Sequence, residues 1–222
     1  MNPAFIDRAE AGRRLATALR HHAGGGNLVV LALPRGGVPV AYEVARALHA
    51  PLDLMLVRKL GVPGHEELAM GAIAVGGIRV ISEDVVRALD IPEREIAAAA
   101  ANEQHELERR ERAYRVTKPH TDVREKTVIL VDDGLATGST IRAAIAALRA
   151  QQIEKLIVAV PVAAAEACAE LRREVDEMVC LHTADPFLSV GHAYEDFSQM
   201  SDEEVRELLR RSAEEFESAV AR

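Results

Sequence analysis

The chain contains no tryptophan, only four phenylalanines and three tyrosines, and just two cysteines among 222 residues. With so few rings the interior has to be built from Ala, Val, Leu and Ile, and the place of each aromatic becomes informative. Cys168 and Cys180 stand in apolar stretches without metal-ligand spacing, which reads as two buried free thiols in a reducing compartment. No uninterrupted apolar run approaches the ~18 residues of a membrane span. Asp7, Arg8 and Glu10 break the N-terminus where a signal peptide would be apolar. No membrane partner is expected, and the cytoplasm is the expected location. Basic residues are not in excess either, with 27 Lys and Arg against 35 Asp and Glu and a formal net charge of −8. Phosphate neutralisation supplies most nucleic-acid affinity, so this balance argues against a nucleic-acid partner. His21, His22, His49, His105, His120, His182 and His192 show no ligand spacing, which argues against a protein-bound transition metal.

What is present is an alternation of short apolar runs and helical periods. Phe5 to Leu19 reads as a helix ended by Gly24, Gly25 and Gly26. Leu28 to Leu33 is a strand, followed by the turn Pro34-Arg35-Gly36-Gly37 and by Val40, Ala41, Val44, Ala45 and Leu48 at helical spacing. A second strand fits Leu52 to Val57. The unit recurs at Val128 to Val131, where a glycine-containing turn leads to the face Ile141, Ala144, Ile145 and Leu148. Leu156 to Val160, a helix near Ala163 to Leu171, and Met178 to Leu181 complete the pattern. Such alternation predicts an α/β fold, a mainly parallel twisted sheet with helices on both faces. Ligands of such sheets sit at the C-terminal strand ends, where both turns fall. The 222 residues read as one soluble domain with a core of about 24–182.

Two segments break the rhythm. A Gly-rich stretch lies between Arg58 and Ser82, with Gly76-Gly77 suited to a hairpin turn. A long polar helix runs from near Glu93 to Arg115, opened by Asp90, Pro92 and Glu93 and supported by Glu106/Arg110 and Glu108/Arg112 pairs. A final helix starts at Ser201, with Glu204 completing a capping box and Val205, Leu208, Leu209, Ala213 and Phe216 as its apolar stripe.

The segment Val128 to Thr140 carries the chemistry. An apolar strand ends in Asp132 and Asp133, followed by a small-residue loop that enters a helix. Such a loop can aim backbone N–H groups at a phosphate, with Thr137, Ser139 and Thr140 as hydroxyl donors. Two adjacent carboxylates repel each other and a phosphate unless they face cations or hydroxyls. A ribose diol meets that need. Carboxylates beside a sugar carbon that becomes cationic also stabilise the transition state. The plainer reading is a strand-to-helix turn capped by Asp133. A nucleoside-triphosphate loop would need a Gly-Lys pair, whereas Gly138 is followed by Ser139.

This segment resembles, over its whole length, the phosphoribosyl pyrophosphate (PRPP) signature of type I phosphoribosyltransferases. The resemblance implies that Asp132 and Asp133 hold the ribose hydroxyls, while Ala136, Thr137, Gly138, Ser139 and Thr140 grip the 5′-phosphate. It places a pyrophosphate loop at Arg35 and Gly36, with a non-proline cis peptide at Pro34–Arg35. Arg58 and Lys59, read as closing the second strand, would reach the pyrophosphate leaving group. Asp132, Asp133, Arg35 and Lys59 are the implied catalytic residues. A mobile lid would span Gly61 to Gly71, including Pro63, Gly64, His65, Glu66 and Glu67, so that lid and helical insertion occupy about 58–117. A hood over the base, where Phe187, Tyr194 and Phe197 cluster, and the C-terminal helix would follow at about 183–222. Phe187 is the expected stacking partner of the base, and Asp185 the expected reader of its edge.

The implied reaction is transfer of a 5-phosphoribosyl group from PRPP to a nitrogenous base, with Mg2+ riding on the pyrophosphate and ribose through water. Ala136 stands where enzymes of 6-oxopurines carry an Asp, and the whole chain resembles a bacterial group whose substrate is unassigned. A homodimer is compatible with that resemblance. The alternative is a nucleotide-sensing regulatory protein that keeps the fold; a further one is hydrolysis of PRPP without an acceptor.

Overall fold

The computed structural model describes residues 3–114 and 120–220. Arg115, where the sequence places the end of the long helix, and the side chain of Glu67 lie outside the described residues. The chain forms two compact units, one of Met1–Leu54, Pro119–Gly138 and Ile153–Arg222, the other of Met55–Lys118 and Ser139–Gln152. The second unit thus combines the segment read as lid and insertion with the helix that follows Gly138.

The first unit is a parallel sheet flanked by helices. Its strands are β1 (Leu28–Ala32), β2 (Leu52–Leu54), β6 (Thr127–Val131), β7 (Lys155–Ala164) and β8 (Glu177–Ala184), in the order β2-β1-β6-β7-β8. All neighbours run parallel. Val29, Val30, Ala32, Val128 to Val131 and Leu156 to Val160 are fully buried, as strands covered on both faces must be. The helices are α1 (Arg8–Ala18), α2 (Gly37–Leu48), α6 (Ala165–Leu171) and α7 (Asp202–Val220). α1 packs on α2 and on β7 and β8, and α2 packs on β1, β6 and α7. The capping box that starts α7 is formed: Ser201 Oγ accepts from the Glu204 N–H at 3.2 Å, and Glu204 accepts from the Ser201 N–H at 2.7 Å.

The second unit holds an antiparallel sheet of β3 (Val57–Val62), β4 (His65–Ala74) and β5 (Ile78–Ile81). With it are α3 (Glu83–Ala88), α4 (Glu93–Tyr114) and α5 (Ser139–Arg149). α5 packs on all three strands and α4 on β3 and β4. Gly76 and Gly77 make the β4–β5 turn, with φ of 88° and 77°.

Three expectations are corrected here. The run Leu52 to Val57 is not one strand: β2 ends at Leu54 and β3 begins at Val57 in a different sheet. Leu54 to Val57 is apolar throughout and carries no mark of that break. Gly61 to Gly71 forms a hydrogen-bonded β3–β4 hairpin rather than an irregular loop, with Arg58 and Lys59 inside β3 opposite Ile73 and Ala72 instead of closing the second strand. The pairing passes through a register shift at Gly61, where a Cβ would lie 2.8 Å from the Glu66 carbonyl oxygen. Polar residues at the hairpin tip conceal the strands from composition, while Leu60, Val62 and Met70 are buried. Finally, Cys168 is buried but Cys180 only half-buried, because β8 is an edge strand.

Candidate functional site

The strand order of the first unit places the site. From β1 the chain proceeds outward to β2, and from β6 it proceeds to β7 and β8 in the opposite direction. The C-terminal ends of β1 and β6 therefore flank the switch point, the crevice where open parallel sheets bind ligands. The turn after β1 crosses directly against the start of the loop after β6. The Leu33 N–H donates to the Val131 carbonyl at 2.9 Å. A Cβ on Gly37 would lie 2.8 Å from that oxygen and 2.9 Å from Asp132 Cα, and one on Gly36 would collide with the Asp133 carboxylate. The two glycines thus admit the Asp pair to the turn. The Pro34–Arg35 peptide is cis.

Asp132 and Asp133 are both partly buried. Asp132 Oδ1 accepts from the Asp133 N–H at 2.8 Å. Asp133 Oδ2 accepts from Arg8 Nε at 2.8 Å, with side chains only 12% (Arg8) and 14% (Asp133) exposed. The Arg8 guanidinium lies 3.8 Å over the Phe197 ring and donates to the Ser198 carbonyl at 2.8 Å. Tyr194 stacks on Phe197 at 5.2 Å and its hydroxyl donates to the Asp133 carbonyl at 2.5 Å. Burial, and then the neighbouring Asp133 charge, push the Asp132 carboxyl well above its ordinary range. Burial likewise raises Asp133, while the Arg8 guanidinium works against that shift. The pair holds protons to higher pH than isolated aspartates, with charge favoured on Asp133.

The start of the loop beyond is anchored. Leu135 forms a bridge with Ala163, its N–H donating to Val162 at 2.8 Å and its carbonyl accepting from Ala164 at 2.9 Å. Gly134 fits against Val190 and Val162, where a Cβ would lie 2.5 Å from Val190 Cγ1. Ala136 and Thr137 follow as exposed residues, and Gly138 takes φ of 75° before Ser139 and Thr140 open α5, both exposed. Backbone amides at the start of an 11-residue helix are suited to a phosphate.

The structure brings Asp132, Asp133, Arg35 and Gly36 together at one end of the first unit. Arg35 is 39% exposed and lies 3.6 Å from Asp202 at the start of α7. Arg58 and Lys59 belong to the second unit, where Arg58 pairs with Glu103 of α4 at 2.5 Å. Phe187 is half-buried and packs on the cluster Phe5, Ala11, Val162, Ala193 and Tyr194. Asp185 is exposed before a cis Asp185–Pro186 bond. Sequence reasoning missed Arg8 as the partner of Asp133. Its one signal was a cation in the first turn of a helix, where the helix dipole disfavours it. Tyr194 and Phe197, grouped with the hood, flank that arginine.

The profile of the phosphoribosyl transferase domain family matches residues 6–193. Two Mycobacterium tuberculosis proteins, "Putative phosphoribosyl transferase Rv0571c" and its counterpart MT0597, are each 43% identical over 217 residues. That match covers 98% of this chain and 49% of theirs, so the chain spans about half the length of these relatives. The crystal structure of TT1426 from Thermus thermophilus superposes with a TM-score of 0.88 at 40% identity, over 95% of this chain and 99% of that one. A Neisseria gonorrhoeae protein solved with ppGpp shares the fold, with a TM-score of 0.50 at 16% identity over 95% and 98% of the chains.

Proposed function

The chain belongs to the phosphoribosyl transferase family, and on that premise we propose that it transfers a 5-phosphoribosyl group from PRPP to a nitrogenous base, releasing pyrophosphate. The observation that carries this reading is the Asp132–Asp133 pair at the switch point, beside a glycine-admitted turn and ahead of an exposed small-residue loop. In the proposal both carboxylates accept from the ribose hydroxyls and favour positive charge at the anomeric carbon as pyrophosphate departs. Arg8 keeps Asp133 oriented and charged. Ala136 to Thr140 hold the 5′-phosphate, and Arg35 with the Gly36 amide meets the pyrophosphate. The assignment of Arg58 and Lys59 to the leaving group rests on the family resemblance. So do those of Phe187 and Asp185 to the base, since Phe187 is engaged with the core.

Paired carboxylate oxygens are a donor set that suits Mg2+, a hard cation that keeps much of its water. Arriving with PRPP, the ion would neutralise pyrophosphate charge while Asp132 and Asp133 orient its waters and the ribose hydroxyls.

Calorimetry with Mg2+ and PRPP tests the reading, comparing the wild type with Asp132→Asn/Asp133→Asn, followed by a pyrophosphate-release assay across purine and pyrimidine bases. Saturable binding lost in the double variant, with release on addition of one base, supports transfer. Binding without turnover for any base favours the regulatory alternative, and release without a base favours hydrolysis. No binding by folded wild type refutes transfer and hydrolysis and puts the nucleotide-sensing alternative ahead.

A further inference from the structure

The opposite end of the parallel sheet carries a second cluster that the proposed reaction does not use. Glu177 opens β8 in register with Ile157 and Ile129, and Lys155 opens β7 opposite Thr127, about 10 and 17 Å along the strands from Asp132 at ~3.3 Å per residue. Against them lies the 3₁₀ turn Arg20–His22 that follows α1. His21 Nε2 is 3.2 Å from Glu177 Oε1, and His22 Nε2 is 3.2 and 3.1 Å from Oε1 and Oε2. The two rings are 4.0 Å apart. Lys155 Nζ lies 2.8 Å from Glu177 Oε2.

We propose that His21, His22 and Glu177 form a binding site for a zinc-class divalent transition ion. One ligand atom from each residue falls within a common 4.8 Å. Bonds of about 2.0–2.1 Å in tetrahedral geometry require ligand atoms about 3.3–3.4 Å apart. The observed nitrogen-to-oxygen spacings of 3.1–3.2 Å need only a few tenths of an ångström of adjustment. Two imidazoles and one carboxylate leave a fourth position for water, and they select a borderline ion over Mg2+. His22 and Glu177 are 13% and 25% exposed, so two of the three donors are already held in place, which lowers the ordering cost of binding. The occupied site would clasp the end of α1 to edge strand β8. Lys155 is the competing cation in the empty state. Its side chain is 38% exposed, so its ammonium can move to water while the stem stays packed.

The test uses the whole chain, stripped with chelator and titrated with Zn2+ by calorimetry and with Co2+ by visible absorption. The expected result is one equivalent of each ion, with cobalt d–d bands of a tetrahedral site. His22→Ala and Glu177→Gln should each weaken Zn2+ binding at least 10-fold, with circular dichroism confirming the fold. His21→Ala, at an exposed position, does the same without disturbing packing if the others fail to fold. Lys155→Met should tighten binding, because a like charge leaves the site. Absence of wild-type binding, unchanged affinity in folded His21→Ala or Glu177→Gln, or weaker binding in Lys155→Met overturns the proposal.

Discussion

Replacing Arg8 with methionine would expose how much the Asp133 carboxylate depends on it. The pair is largely buried, with 12% and 14% side-chain exposure, so the near-zero value of surface ion pairs does not apply. Arg8→Met removes a hydrogen bond between charged groups, about 1.5–3 kcal/mol. It also removes a cation from the face of Phe197, about 1–2 kcal/mol when desolvated. Methionine keeps part of the apolar contact, so the expected loss is about 3 kcal/mol at pH 8, near the lower end for breaking a buried pair. The loss should shrink at acidic pH. Burial raises the folded-state Asp133 carboxyl above its unfolded value, against the opposing pull of Arg8. A raised acid stabilises the fold below its unfolded pKa, and that contribution is lost as pH rises through the folded pKa. Removing Arg8 raises the folded value further and extends the declining window upward. Urea unfolding followed by circular dichroism, suited to a chain without tryptophan, should give a smaller penalty at pH 5 than at pH 8, because protonation relieves the carboxylate left without its partner. A penalty below about 1 kcal/mol at pH 8, or one larger at pH 5 than at pH 8, would refute the reasoning.

Gly37→Ala should destabilise the first unit by about 1–3 kcal/mol and abolish PRPP binding, because the added methyl meets backbone of Val131 and Asp132; retained calorimetric affinity would show that the close approach is not needed. Tyr194→Phe leaves the Asp133 carbonyl without its hydroxyl donor and should cost about 1–3 kcal/mol, non-additively with Arg8→Met in a double-mutant cycle. Arg58→Ala breaks a pair whose side chains are 34% and 28% exposed and should change unfolding free energy by about 1 kcal/mol at most. A PRPP affinity loss much beyond that would therefore report ligand contact.

Several elements were legible because their causes are local. The apolar runs of β1, β6 and β7, alternating with helical periods, are those of strands covered on both faces. α4 begins where Pro92 and Glu93 place it, and Ser201 with Glu204 starts α7 through bonds three residues apart. The Asp132 to Thr140 segment is likewise continuous in sequence, so its acids and small-residue loop could be read directly. The boundary between Leu54 and Val57, by contrast, depends on which sheet each half joins.

The sequence by itself determined the alternation of strand and helix, the topology-compatible turns and the loop chemistry, since periodicity, capping and glycine freedom act over a few residues. Only the tertiary structure decided that Arg8 meets Asp133 across 125 residues and that His22 meets Glu177 across 155. Spacing rules see ligands that share one turn or one helix face. Side chains brought together by parallel strands and a helix end leave no such trace, because their proximity is fixed by how the elements pack.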